Sequence, residues 1–237
     1  MGRLKMQYNR ILAMGDIHGR FDRLSSVFNK IKFGSKDFLI LLGDYVDRGN
    51  ENLHCLQWAM RISKLPNVVA LRGNHEQMML YYYLLGTYES TIWLPNGGKY
   101  TKAEMDEWIK TDPDFLNEAL KFIDKRPYYY RTFIDGQEYI FCHAGLKPGV
   151  SLENQSVESI LWIREEFYNG YNGTAEVVVG HTPTPYLGSV PGVDIKDRYY
   201  PIRLPNKITM IDTGSFLPKG RISCVDVISG QVWQSDD

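Results

Sequence analysis

The chain is short of cysteine, of net charge and of long apolar runs. Its three cysteines, Cys55, Cys142 and Cys224, are spread over 237 residues in no framework spacing. Cys55 and Cys142 sit inside apolar stretches, as buried thiols do. A disulfide scaffold is excluded, and a reducing compartment is expected. The formal net charge is −1, so there is no basic field for nucleic acid and no polybasic patch for an anionic membrane. No apolar run approaches the roughly 20 residues that a membrane-spanning helix needs, and residues 1–8 carry no signal-peptide core. The cytoplasm is the expected location. A hydrophobic content of 43% over this length suits one globular domain spanning 1–237.

Histidine is also scarce, with 5 in the chain, and its placement is informative. Five apolar runs each stop at a residue that can bind a metal. Residues 11–14 run into Gly15-Asp16-Ile17-His18-Gly19, and residues 38–42 into Gly43-Asp44-Tyr45-Val46-Asp47-Arg48-Gly49. Residues 68–71 run into Arg72-Gly73-Asn74-His75-Glu76, residues 139–142 into His143-Ala144-Gly145, and residues 177–179 into Gly180-His181-Thr182. Buried strands read as short continuous apolar runs, and ligands of α/β sheets collect beyond the carboxyl ends of strands. The pattern predicts that Asp16, His18, Asp44, Asn74, His143 and His181 line one edge of one sheet. His54 stands apart, in the amphipathic stretch 51–58, and reads as a helix-surface or packing residue.

Carboxylate, imidazole and amide ligands suit borderline to hard divalent ions, and manganese, iron and zinc all fit, with manganese the first expectation. Six such groups exceed what one catalytic ion can take while keeping open positions. They fit two ions sharing a carboxylate, roughly 3.5–4 Å apart, with Asp44 as the bridge. No cysteine joins the set, against a structural Cys-type zinc site.

On these five motifs, intact and in order, the chain resembles the phosphoprotein phosphatase family of metallophosphoesterases. It is most similar there to the small bacterial and bacteriophage-lambda-type serine/threonine protein phosphatases. Four further segments carry that likeness: Gln77-Met78-Met79, Trp93 with Asn96-Gly97-Gly98, Leu161-Trp162-Ile163-Arg164-Glu165, and Ile211-Asp212-Thr213-Gly214. The resemblance implies an α/β, calcineurin-like fold: two mixed β-sheets sandwiched by helices. It implies that Asp16, His18 and Asp44 hold one metal, and Asp44, Asn74, His143 and His181 the other. His75 would be the general acid, oriented by Asp47, while Arg48 and Arg164 clamp the phosphoryl oxygens. A hydroxide bridging the two ions would attack in line.

The implied reaction removes phosphate from phosphoserine and phosphothreonine in proteins, with phosphotyrosine an open further substrate. A symmetrical diadenosine tetraphosphate hydrolase is the rival. Such enzymes resemble this chain through GDxHG and GNH, but usually show GNHD and lack the aspartate that is Asp47 here. A third reading, a non-catalytic binding module, predicts damaged ligands, and every matched position is intact. No regulatory subunit is implied.

Residues 10–80 read as β-α-β-α-β followed by a helix starting near His75, whose N-terminal end would favour an anion. Residues 86–127 carry no strand-end ligand and contain two helix-like stretches, 102–110 and 115–124. They read as a helical insertion beside the site, either a substrate-selecting wall or a cover for sheet surface. Residues 183–207 hold five prolines and read as a long loop or irregular hairpin. Its Arg198, Tyr199, Tyr200 and Arg203 could meet a peptide substrate, but are read first as exposed charge with tyrosines packed on the scaffold. Arg164 is expected on a helix, where Glu165 and Glu166 offer a rival surface ion pair.

Overall fold

The computed structural model describes residues 8–86, 91–188 and 198–236. The apolar runs become strands covered on both faces. β1 (Arg10–Met14), β2 (Asp37–Leu41) and β3 (Val68–Ala70) run parallel, Leu12 opposite Leu39 and Leu39 opposite Val68. A second set comprises β4 (Tyr129–Ile134), β5 (Gln137–Cys142), β6 (Glu176–Val179), β7 (Ile202–Arg203) and β8 (Ile208–Met210). β9 (Ser223–Asp226) and β10 (Val232–Gln234) return to the first sheet. The sheet orders are β10-β9-β1-β2-β3 and β4-β5-β6-β8-β7, each with parallel and antiparallel pairs.

Alternation along each strand divides the core into layers. Ile11, Ala13, Phe38 and Ile40 face Phe141, Val178 and Ile211 between the sheets. Leu12, Met14, Leu39 and Leu41 turn outward to meet α1 (Phe21–Ile31), α2 (Asn52–Ile62) and α3 (Asn74–Leu85). The same cluster takes in α4 (Lys99–Trp108) and α5 (Phe115–Asp124) through Met105, Ala119 and Ile123. Ile140, Cys142, Val177 and Val179 pack outward on Ile160 of α6 (Val157–Trp162) and Phe167 of α7 (Glu165–Gly170). The result is the expected four-layer α/β sandwich of two mixed sheets flanked by helices.

Several local expectations change. The ligand-type residues sit on the facing edges of two sheets rather than one edge of one sheet, because every run is covered on both faces and all read alike. β4 was not expected; it pairs with β5 through Asp135-Gly136, both at positive φ (50° and 84°), as a tight hairpin requires. In the insertion, α4 starts three residues earlier than expected, behind a kinked turn at Leu94–Gly98 in which Gly97 leaves helical geometry. Arg164 stands between α6 and α7, with φ −130° and ψ −102°, and not on a helix. Within 183–207, the described parts include a 3₁₀ turn (Thr184–Tyr186) and β7, while Pro191 lies outside the described residues. Arg203 pairs with Glu176 at 2.9 Å, and Arg198 donates to the Leu187 carbonyl at 3.0 Å. His54 is exposed on α2 between the rings of Phe21 and Trp108. No described helix is long and apolar enough to cross a membrane.

Candidate active site

Each strand delivers its ligand where the chain leaves the sheet. β1 ends into Asp16, β2 into Asp44, β5 into His143 and β6 into His181, while Asn74 and His75 open α3 directly after β3. All of these side chains are buried. The backbone must bend sharply to aim them: His18, Asp44, Asp47, Arg48 and His181 adopt positive φ of 49°, 53°, 75°, 71° and 62°. Such conformations cost a side-chain-bearing residue on the order of 1–3 kcal/mol and gather at functional sites. Close approach also explains Gly180, where a Cβ would fall 2.1 Å from Asp16 Oδ1.

Asp44 is the centre. Its Oδ2 lies 3.5 Å from His18 Nε2 and its Oδ1 3.4 Å from His143 Nε2. Ligand atoms of Asp44, His143 and His181 lie within 4.8 Å of one another, as do those of His18, Asp44 and His75. Asp16 joins through His18, its Oδ2 3.9 Å from Nε2, and both its oxygens accept the His181 N–H at 3.1 Å. Asn74 Oδ1 lies 2.7 Å from His143 Nε2 and 3.0 Å from His181 Nδ1.

The donor set fits a divalent cation on its own chemistry. His18 Nδ1 faces the Val46 carbonyl at 3.1 Å and His143 Nδ1 the Leu42 carbonyl at 2.9 Å. Each Nδ1 therefore carries the hydrogen and each Nε2 is turned into the site, that of His143 toward the Asp44 and Asn74 oxygens and that of His18 between Asp44 and the Arg48 guanidinium. Acceptors facing acceptors in a buried site require a positive charge between them, and the carbonyl contacts are the outer contacts that orient metal-binding imidazoles. Protons partly meet that need. Burial lowers His143, but Asp44 beside it outweighs this and raises it to about 9. Burial raises Asp44 less than His143, His75 and His18 depress it, so it is held well below the carboxylate range. Burial and then Asp212 push Asp16 well up. Burial lowers His18 and His181, aided by Arg48 and His143 respectively.

His75 stands across Asp44 from His143. Its backbone N–H donates to Asp44 Oδ1 at 3.1 Å, and its Nδ1 contacts Asp47 Oδ2 at 2.6 Å. Nε2 is left facing the site, 3.9 Å from Asp44 Oδ2. Arg48 Nη1 donates to His18 Nε2 at 2.8 Å, and the guanidinium lies 4.3 Å over the Phe216 ring. Arg164 Nη1 donates to the His181 carbonyl and to Thr182 Oγ1, each at 3.1 Å, rather than to the neighbouring glutamates. All ten residues expected at the site thus converge on one edge of the sandwich.

Sequence reasoning assigned no role to three groups. Glu76 is fully buried and accepts the N–H groups of Asp44, Tyr45, Gly73 and Val46 at 2.8, 2.8, 3.0 and 3.3 Å. Burial, then Asp44, raises it to about 7. Asp212 follows β8 on the same edge; its Oδ1 accepts the Gly214 N–H at 2.9 Å, while its Oδ2 is buried with no hydrogen-bond partner among the described residues. Trp93 and Thr101 of the insertion both bond Asp47. For Asp212 the signal was present, since Ile208–Ile211 is another run that stops at a carboxylate.

Comparison with known proteins identifies the family. Residues 9–213 match the calcineurin-like phosphoesterase family. Serine/threonine-protein phosphatase 2 of Salmonella typhimurium is 30% identical over 213 residues, covering 88% of this chain and 89% of that protein. An asymmetrical bis(5'-nucleosyl)-tetraphosphatase of Bacillus subtilis is 25% identical over 72% of this chain and 78% of its own length. A serine/threonine phosphatase structure from Saccharomyces cerevisiae superposes with a TM-score of 0.59 at 16% identity, covering 98% of this chain and 82% of that one. The chain belongs to the calcineurin-like phosphoesterase family.

Proposed function

We propose that this phosphoesterase is a metal-dependent protein phosphatase that hydrolyses phosphoserine and phosphothreonine monoesters. The observation that carries the reading is the 2.6 Å contact between His75 Nδ1 and Asp47 Oδ2. It leaves Nε2 facing the site as a proton donor. A seryl or threonyl alkoxide is a poor leaving group, and a positioned acid is worth roughly 10²–10⁴-fold in its departure. The phosphate-type leaving group of a dinucleotide is a far weaker base and gains less from such an acid. The similarity to the Salmonella protein phosphatase over most of both chains supports the same choice.

Two divalent ions at the Asp44 cluster, most simply manganese, would supply a nucleophilic hydroxide at neutral pH and offset the phosphoryl charge. Asp16, His18 and Asp44 would hold one, and Asp44, Asn74, His143 and His181 the other. The remaining work belongs to side chains. Arg48, beside His18, and Arg164, on the His181 side, would present planar donors to the phosphoryl oxygens. His75 delivers its Nε2 proton to the departing oxygen, while Asp47 keeps the ring oriented through the contact to Nδ1. Glu76 holds the Asp44–Val46 backbone in place.

Cleavage of diadenosine polyphosphates is the second reading, favoured by the similarity to the Bacillus subtilis tetraphosphatase. The test measures manganese-dependent phosphate release from a phosphothreonine peptide beside diadenosine tetraphosphate cleavage, with His75→Asn as control. Peptide hydrolysis that dominates and collapses in the control supports the proposal. Dominant dinucleotide cleavage overturns it.

A further inference from the structure

The Asp47 carboxylate is completely enclosed, and His75 is only one of its partners. Oδ2 also accepts from Trp93 Nε1 at 2.8 Å. Oδ1 accepts from Thr101 Oγ1 at 2.5 Å, and the same hydroxyl accepts the Asp47 backbone N–H at 3.0 Å. Trp93 and Thr101 are themselves inaccessible to solvent. Neither belongs to a ligand-bearing motif; both lie in the insertion between α3 and β4.

The intervening segment closes around the same two residues. At Gly97, φ 109°, a Cβ would fall 2.8 Å from Arg48 Cγ and 2.9 Å from its backbone nitrogen. The Tyr82 and Tyr83 rings of α3 brace Trp93 at centroid distances of 4.9 and 5.8 Å. Asp47 and Arg48 are both in left-handed backbone conformations, which persist only where the surroundings enforce them. A wall that selects substrates, or a cover for the sheet, needs none of these bonds to one carboxylate.

We propose that Trp93 and Thr101 are positioning residues for proton delivery. They hold the Asp47 carboxylate in the one orientation that fixes His75 with Nε2 toward the leaving oxygen. The insertion is thereby part of the apparatus for expelling poor leaving groups. This rests on the reading of His75 as the acid. Partners that orient metal-binding imidazoles are commonly worth about 10–100-fold, and the same scale is expected for those that orient His75.

The test compares two substrates on the manganese-loaded enzyme. p-Nitrophenyl phosphate expels a weakly basic phenolate, while a phosphoserine peptide expels an alkoxide. Trp93→Phe and Thr101→Val should lose at least about 10-fold more kcat on the peptide than on the aryl ester. Thr101→Ser, which keeps the hydroxyl, should restore the ratio. Trp93→Phe added to His75→Asn should cost no further selectivity, because the two act through one proton. Equal losses on both substrates, or full additivity with His75→Asn, would overturn the proposal. Wild-type peptide hydrolysis reports on the phosphatase reading separately. If His75→Asn itself shows no leaving-group dependence, the acid assignment falls and this proposal with it.

Discussion

Glu76 accepts the backbone N–H of Asp44 at 2.8 Å, so a buried carboxylate outside the ligand set holds the one common to both ligand clusters. Both Glu76 oxygens are committed to N–H donors, Oε2 to Asp44 and Gly73 and Oε1 to Tyr45 and Val46. Glu76→Gln must turn an amide NH₂ against one of those pairs. The expected cost is about 1–3 kcal/mol of stability, the desolvation penalty of unmatched buried donors, together with weaker manganese binding. Thermal unfolding and metal titration of the variant measure the two effects; no change in either would show that the brace is dispensable.

Arg164 offers a cleaner separation of roles. It touches the His181 carbonyl and Thr182 but none of the ligand atoms. Arg164→Ala should lower kcat/KM on a phosphopeptide by about 10–100-fold, the worth of a charge-assisted contact, with metal content intact. Loss of metal in that variant would contradict the phosphate-clamp role.

Asp212 makes a prediction about pH. Burial raises its carboxyl from the ordinary 3.8 to about 6. The folded chain therefore holds that proton more tightly than the unfolded chain. Its contribution is harmless below about pH 4, and stability is lost as pH rises toward 6, levelling off above. In metal-free protein, Asp212→Asn should raise stability at pH 7.5 by an amount on the order of 3 kcal/mol. The gain should vanish near pH 4. Denaturant melts at both pH values decide it, and equal stability at pH 7.5 would count against the orphaned charge.

Much of this was legible because strand and ligand coincide in the sequence. The runs ending at Asp16, Asp44, Asn74, His143 and His181 identified five strands, or their exits, and the residues that meet at the site. Two kinds of information were missing. A run buried on both faces does not say which sheet it joins, so two facing edges read as one. The half-buried Tyr129–Ile134 strand lacks a continuous apolar run and was passed over. Contacts such as Trp93 to Asp47 and Thr101 to Asp47 join residues 46 and 54 positions apart, and no periodicity records them. Arg164 was placed on a helix because its neighbours are helix formers, whereas it occupies the break between two short helices.

Metal dependence follows from the buried acceptors that face one another. A chelator should abolish phosphate release, and manganese should restore it. Saturating manganese should raise the melting temperature, because binding to the folded state alone stabilises it by RT ln(1 + [L]/Kd). A chelator-treated enzyme with undiminished activity would refute a metal-supplied nucleophile.

The most direct test is the metal stoichiometry of Asp44→Asn. Asp44 is the residue shared by both ligand clusters, and its two oxygens face His18 and His143 separately. Wild-type protein equilibrated with manganese should bind two ions per chain by elemental analysis, and Asp44→Asn should weaken both sites together. One ion in the wild type, or two tightly held ions in the variant, would contradict a dinuclear site built on Asp44.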